Sequence, residues 1–113
     1  MGHRGLFGLV LALALLAGCA SPGAGALDGL VGSARSASDH RKIADLYRRE
    51  AAKAREEGLG HRRLATAYAG RHSWGAAFAE RAGRHCNDLA DAEEERAVRF
   101  ELLAVEHDRL AHE

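Results

Sequence analysis

From Asp39 onward the apolar and polar positions follow a seven-residue period. The stretch "HRKIADLY" at His40 to Tyr47 returns as "HRRLATAY" at His61 to Tyr68, displaced by 21 residues, or three heptads. With His40 at heptad position a, the a column runs His40, Tyr47, Ala54, His61, Tyr68, and the e column runs Ala44, Ala51, Gly58, Ala65. The last third of the chain repeats the pattern. With Cys86 at a, the a column is Cys86, Glu93, Phe100, His107, the d column is Leu89, Arg96, Leu103, Leu110, and the e column is Ala90, Ala97, Ala104, Ala111. An a, d, e face with small residues along one flank predicts helices that approach closely.

The only proline, Pro22, lies before this region, which is rich in Ala, Glu, Arg and Leu and poor in β-branched residues, so it reads as helix. Asp39 or Ser38 is the expected N-cap. The one strong interruption is "AGRHSWGA", Ala69 to Ala76, where Gly70 can end a helix, Ser73 cap the next and Gly75 relieve the turn. The predicted fold is therefore all-α: an antiparallel hairpin of two long helices, self-associating into a four-helix bundle to cover a modest alanine-rich core. Gly58 and Gly60 each cost about 1 kcal/mol relative to Ala inside a helix, and a break there would give three helices instead. The heptad columns continue in phase through both glycines, which favours one unbroken helix. Folding about Ser73 and Trp74 pairs residues whose numbers add to about 147, so that His40 faces His107, Tyr47 faces Phe100 and His61 faces Cys86. A turn centred nearer His72 would break those pairs.

The other end of the chain has a different pattern. After "MGHRG", "LFGLVLALALLAG" is a continuous apolar run of the length of a signal-peptide core rather than a membrane span. It ends in Leu16-Ala17-Gly18-Cys19, followed by Ala20, Ser21 and Pro22. This junction resembles the lipobox of bacterial lipoproteins at all four positions. The resemblance implies that residues 1–18 are a cleaved signal peptide and that the Cys19 thiol carries a diacylglyceryl group, with acylation of the freed amine. Two or three acyl chains, at ~0.8 kcal/mol per buried methylene, anchor a protein durably without spanning the membrane. Ala20 stands where lipoproteins retained in the inner membrane commonly have Asp, so the resemblance implies an outer-membrane address facing the periplasm in a cell with two membranes.

Residues 19–38 hold the lipidated cysteine and "ASPGAGALDGLVGSARSAS", a Gly, Ala and Ser-rich stretch that reads as a flexible linker. As a coil its 19 residues would span about 24 Å. Leu27, Leu30 and Val31 can form at most a turn of helix. Residues 39–113 form the hairpin domain.

Charge narrows the partners. Lys and Arg total 16, as do Asp and Glu, and loss of Arg4 with the signal peptide leaves 15 basic against 16 acidic residues. No nucleic-acid footprint is present. Once Cys19 is acylated, Cys86 is the only thiol, so it is buried, metal-bound, capped or paired between chains.

Histidine nitrogen and cysteine sulfur are the donors used by zinc and copper sites. His61, Cys86, His85 and Glu57 can supply one site in the hairpin, and His40 with His107 another about 31 Å along it. His85 and Cys86 are adjacent on a helix and diverge by about 100°, so one metal cannot easily use both from one chain. Two copies could instead contribute two His61 and two Cys86. There is no CxxC, HExxH or ExxH pattern. As ordinary seam residues, the histidines bond to Glu, Tyr or water and Cys86 fills space as a small buried hydrophobe. Glu93 and Arg96 fall on the seam and are expected to pair with each other or meet a second subunit.

There is also no GxSxG elbow, phosphate loop or dinucleotide fingerprint, so the sequence predicts no enzyme. It is similar in general character to the small alanine-rich helical lipoproteins of the bacterial envelope. That similarity does not extend to the terminal lysine by which murein lipoproteins join peptidoglycan, since this chain ends in Ala111-His112-Glu113. The expected function is a membrane-tethered structural or adaptor module, partnered by a second copy or another envelope protein. The alternatives are a periplasmic Zn or Cu-binding lipoprotein and a redox-responsive adaptor using a Cys86 intermolecular disulfide.

Overall fold

The computed structural model describes residues 22–113. The lipobox and Cys19 lie outside them. The described elements are α1 (Pro22–Ser33), α2 (Ala37–Ala69), a 3-10 turn (His72–Trp74) and α3 (Ala76–Ala111). The chain divides after Ala34 into two compact units, and the second, Arg35–Glu113, is a hairpin of α2 against α3. No helix among the described residues is long and apolar enough to cross a membrane.

The first unit departs from the expected linker. Pro22–Ser33 is helical despite Gly25, Gly29 and Gly32. Pro22 takes the first helical position, where its missing N–H costs no hydrogen bond and its fixed φ suits a helix. At the other end the Ser33 hydroxyl donates to the Gly29 carbonyl at 2.9 Å.

The N-terminus of α2 also lies earlier than expected. Ser36, not Ser38 or Asp39, is the N-cap: its hydroxyl accepts from the Asp39 N–H at 3.1 Å, while the Asp39 carboxylate accepts from the Ser36 N–H at 3.0 Å. Asp39 is thus the third helical residue of a reciprocal capping box, a role its carboxylate fills as well as the more usual Glu. The Arg35 N–H donates to the same carboxylate at 3.0 Å. These bonds, with Arg35 the leading cause, hold the Asp39 pKa below the usual carboxylate range.

From that cap α2 runs unbroken for 33 residues, through Gly58 and Gly60, for a length of about 50 Å. Gly70 closes it, its N–H donating to the Thr66 carbonyl at 3.3 Å. In the turn, Ser73 does not cap α3. The N-cap is Gly75, whose φ of 89° is open to glycine and strained for other residues. Ser73 instead sits inside the 3-10 turn.

The seam follows the heptad reading with one shift. The buried residues are Ile43, Ala44, Ala51, Ala54, Gly58 and Ala65 on α2, and Ala79, Cys86, Ala90, Ala97, Ala104 and Ala111 on α3. The e columns are therefore the axis of contact, and the large a residues His40, Tyr47, His61, Phe100 and His107 are half-buried beside it. Alanine side chains let the helices close until backbone becomes the limit. A Cβ at Gly58 would stand 3.3 Å from the Ala90 carbonyl oxygen, and one at Gly83 3.6 Å from that of Ala65. At Gly58 any side chain would press on the partner helix's backbone, so the glycine lets the helices approach at this point.

Candidate functional site

The predicted register is realised at the open end of the hairpin. Tyr47 stacks on Phe100 with ring centroids 5.9 Å apart, and the Nδ1 atoms of His40 and His107 lie 2.9 Å apart. The shape of the histidine pair decides what it can do. Its ring centroids are 5.2 Å apart. An imidazole nitrogen lies about 1.15 Å from its ring centre, so two such radii and the N···N distance account for the whole separation only if all four points are nearly collinear. One Nδ1–H is therefore aimed at the other ring's lone pair, as in a hydrogen bond. A metal held by both rings, at about 2.0–2.1 Å from each nitrogen, would bend them out of line. The two Nδ1 atoms stand at hydrogen-bond distance, and which ring donates is set by which carries the Nδ1 proton. Burial, and next the charge of His40, lower the His107 pKa, with Glu106 opposing. Tyr47 covers His107 at 5.7 Å between ring centroids.

The other candidate ligands are dispersed. Cys86 is a free thiol, 7% exposed, which places it among the small apolar residues of the seam and out of reach of a second chain while the hairpin is closed. His85 is exposed. Glu57 accepts from Arg96 at 2.9 Å. His61 is half-buried, its Nδ1 buried without a hydrogen-bond partner. Among the described residues no three His, Cys, Asp or Glu side chains gather closely enough to hold a metal ion. The expected Glu93 and Arg96 pair is present at 3.1 Å, off the hydrogen-bond axis, so the contact is electrostatic.

A second pattern went unread in the sequence. Arg41, Arg48, Arg55 and Arg62 recur every seven residues on α2, and Glu94, Glu101 and Asp108 do so on α3. They meet along one flank: Arg48 bonds Asp108, Arg55 bonds Glu101 at 2.6 Å and approaches Glu94 at 3.6 Å, and Arg62 bonds Asp91 at 3.2 Å. The signal was visible as two columns of opposite charge at heptad spacing. These pairs are exposed, so they set register and orientation more than stability. The opposite flank carries Leu64, Leu89 and Leu103, exposed by 50%, 37% and 42%, with the Glu57 and Arg96 pair between them.

At the turn, Tyr68, Trp74 and Phe78 form a triangle with centroid distances of 6.1 to 6.3 Å, and the Arg71 guanidinium lies 5.5 Å from the Trp74 ring centre. Trp74 packs its ring against Tyr68 and Phe78 at the tip and stays more than half exposed. The hollows along the hairpin, such as that lined by Arg62, Asp91, Glu94 and Val98, are open to solvent. The chain matches no known protein family, and neither a curated protein nor a solved structure is detectably similar to it.

Proposed function

We propose that this chain is a lipid-anchored bacterial envelope protein that works as a non-enzymatic spacer and adaptor, presenting a helical rod at the end of a tether. The observation that carries the reading is the seam. A column of Ala and Gly at seven-residue spacing draws α2 and α3 into close contact over nearly their whole length. Such a rod invests its sequence in reach and in outward faces. Its interior has no room for a substrate. The lipobox resemblance at Leu16 to Cys19 supplies the tether.

The test is the chemistry of Cys19. Expressed in a bacterial host with a labelled fatty acid, the chain incorporates label, and mass spectrometry of the mature form finds it beginning at a diacylglyceryl-modified Cys19. Cys19→Ser abolishes both. A mature chain that starts elsewhere, or carries no lipid, refutes the anchor.

A further inference from the structure

The hairpin is electrically polar along its length. Between Arg62 and Arg84, the third of the hairpin that contains the turn, there are five arginines and one acid, Glu80, a net charge of +4. The remainder of Arg35–Glu113 has ten basic residues against fourteen acidic, a net −4. Of the five tip arginines, Arg62 is held by Asp91 and Arg84 by Glu80. No ion pair among the described residues engages Arg63, Arg71 or Arg81. The uncapped first turn of α3 adds its free backbone N–H groups to the same end.

The tip is also where aromatic surface is left bare. Trp74 is 56% exposed and Phe78 44%, although both pack against Tyr68. Trp and Tyr rings with a polar edge suit a boundary that is apolar on one side and wet on the other, and arginine can rest its stem on apolar surface while its head stays hydrated. Arg71 against Trp74 brings both behaviours together at one point.

We infer that the tip of the hairpin docks on an anionic phospholipid surface, with Trp74 and Phe78 entering the headgroup layer and Arg63, Arg71 and Arg81 facing lipid phosphates. Charge complementarity selects the occupant. A net +4 end carrying exposed aromatics on a convex turn suits a soft, deformable, negatively charged interface, whereas a folded acidic protein would need a matching concavity. The docking depends on the tip alone and not on the Cys19 anchor.

Trp74 is the only tryptophan in the chain, so its fluorescence reports the tip and nothing else. The mature-length chain, residues 19–113 with Cys19→Ser, which has neither the lipid anchor nor the apolar signal segment, is mixed with phosphatidylglycerol vesicles or phosphatidylcholine vesicles carrying a nitroxide-labelled lipid. With the anionic vesicles, Trp74 emission moves to shorter wavelength and is quenched, and the effect weakens as salt rises. With the zwitterionic vesicles it is unchanged. A double variant, Arg71→Gln with Arg81→Gln, keeps its helical circular dichroism and loses about 30-fold in the lipid concentration needed, taking about fivefold per basic residue near the surface. Trp74 emission unaltered by anionic vesicles overturns the inference. So does equal quenching on both vesicle types, or a response to soluble polyglutamate without a response to vesicles. Because the readout is Trp74, failure here leaves the lipidation of Cys19 untouched, and failure of lipidation leaves this result standing.

Discussion

The His40 and His107 pair shows how two residues of one type come to differ. Neutral, they share one proton along a nearly straight N···N line of 2.9 Å. A first added proton leaves that bond in place with a charge behind it, and a second puts N–H on both nitrogens and breaks it. The folded His107 pKa is lowered, chiefly by burial and then by His40, so the unfolded chain takes up its proton first as pH falls through about 6.5. By linkage, the contribution of this group is complete above that value and is lost on acidification toward the lower folded pKa. Thermal midpoints measured from pH 7.5 to 5 should fall for the native chain and fall less for His107→Gln. Equal slopes would show that the pair carries no pH dependence. The same scale separates two glycines that look equivalent in "EEGLGH". At Gly60 a Cβ would meet only the flexible end of Arg63 at 3.8 Å, so Gly60→Ala should raise stability by about 0.5–1 kcal/mol through helix propensity. At Gly58 the neighbour is backbone, and Gly58→Leu should cost about 1–3 kcal/mol by forcing the helices apart. Urea titration of both variants checks the contrast.

At the scale of the element, what was legible was period and what was missed was partnership. Helix content, the unbroken run through Gly58 and the turn at Gly70 to Gly75 followed from composition and heptad phase. The capping box at Ser36 was misplaced by two or three residues because Asp39 is itself a good N-cap, and only the two reciprocal bonds show that it serves as the third residue. Helix α1 was hidden by its glycines, whose propensity cost argued for coil. The Arg48, Arg55 and Arg62 column reads as a solvated face on α2 alone and acquires meaning only opposite Asp108, Glu101, Glu94 and Asp91. Arg55→Glu places like charge against Glu94 and Glu101, so it should lower the urea midpoint in dilute buffer, with the deficit shrinking as added salt screens the flank. A midpoint change that ignores salt would point to lost packing of the arginine stem instead.

For the whole molecule, the alanine seam gives close approach at the expense of buried area, since alanine removes little apolar surface from water. The consequence is visible on the other flank, where Leu64, Leu89 and Leu103 stay exposed by more than a third of their surface. We propose that a second copy of the chain packs there. Sedimentation equilibrium should then give a mass that rises with concentration, and Leu89→Lys with Leu103→Lys should hold the chain at monomer mass. A native chain that is monomeric at all concentrations removes the proposal.

The sequence by itself determined the two long helices, the phase of their apolar faces and the antiparallel return, because a heptad repeat fixes which face of each helix is apolar and one short turn permits no other arrangement. It narrowed the register to a choice of turn centre, and the closed turn selected the one that sets His40 opposite His107 and Tyr47 opposite Phe100. Tertiary structure alone decided how near the helices come and which way the paired side chains point. Closeness at Gly58 depends on the Ala90 backbone across the seam. The straight line between His40 and His107 depends on two rings held by different helices. The gathering of Tyr68, Trp74 and Phe78 depends on how the turn closes. Each is a relation in space between residues far apart in the chain or set by backbone angles, and spacing along one helix carries no information about it.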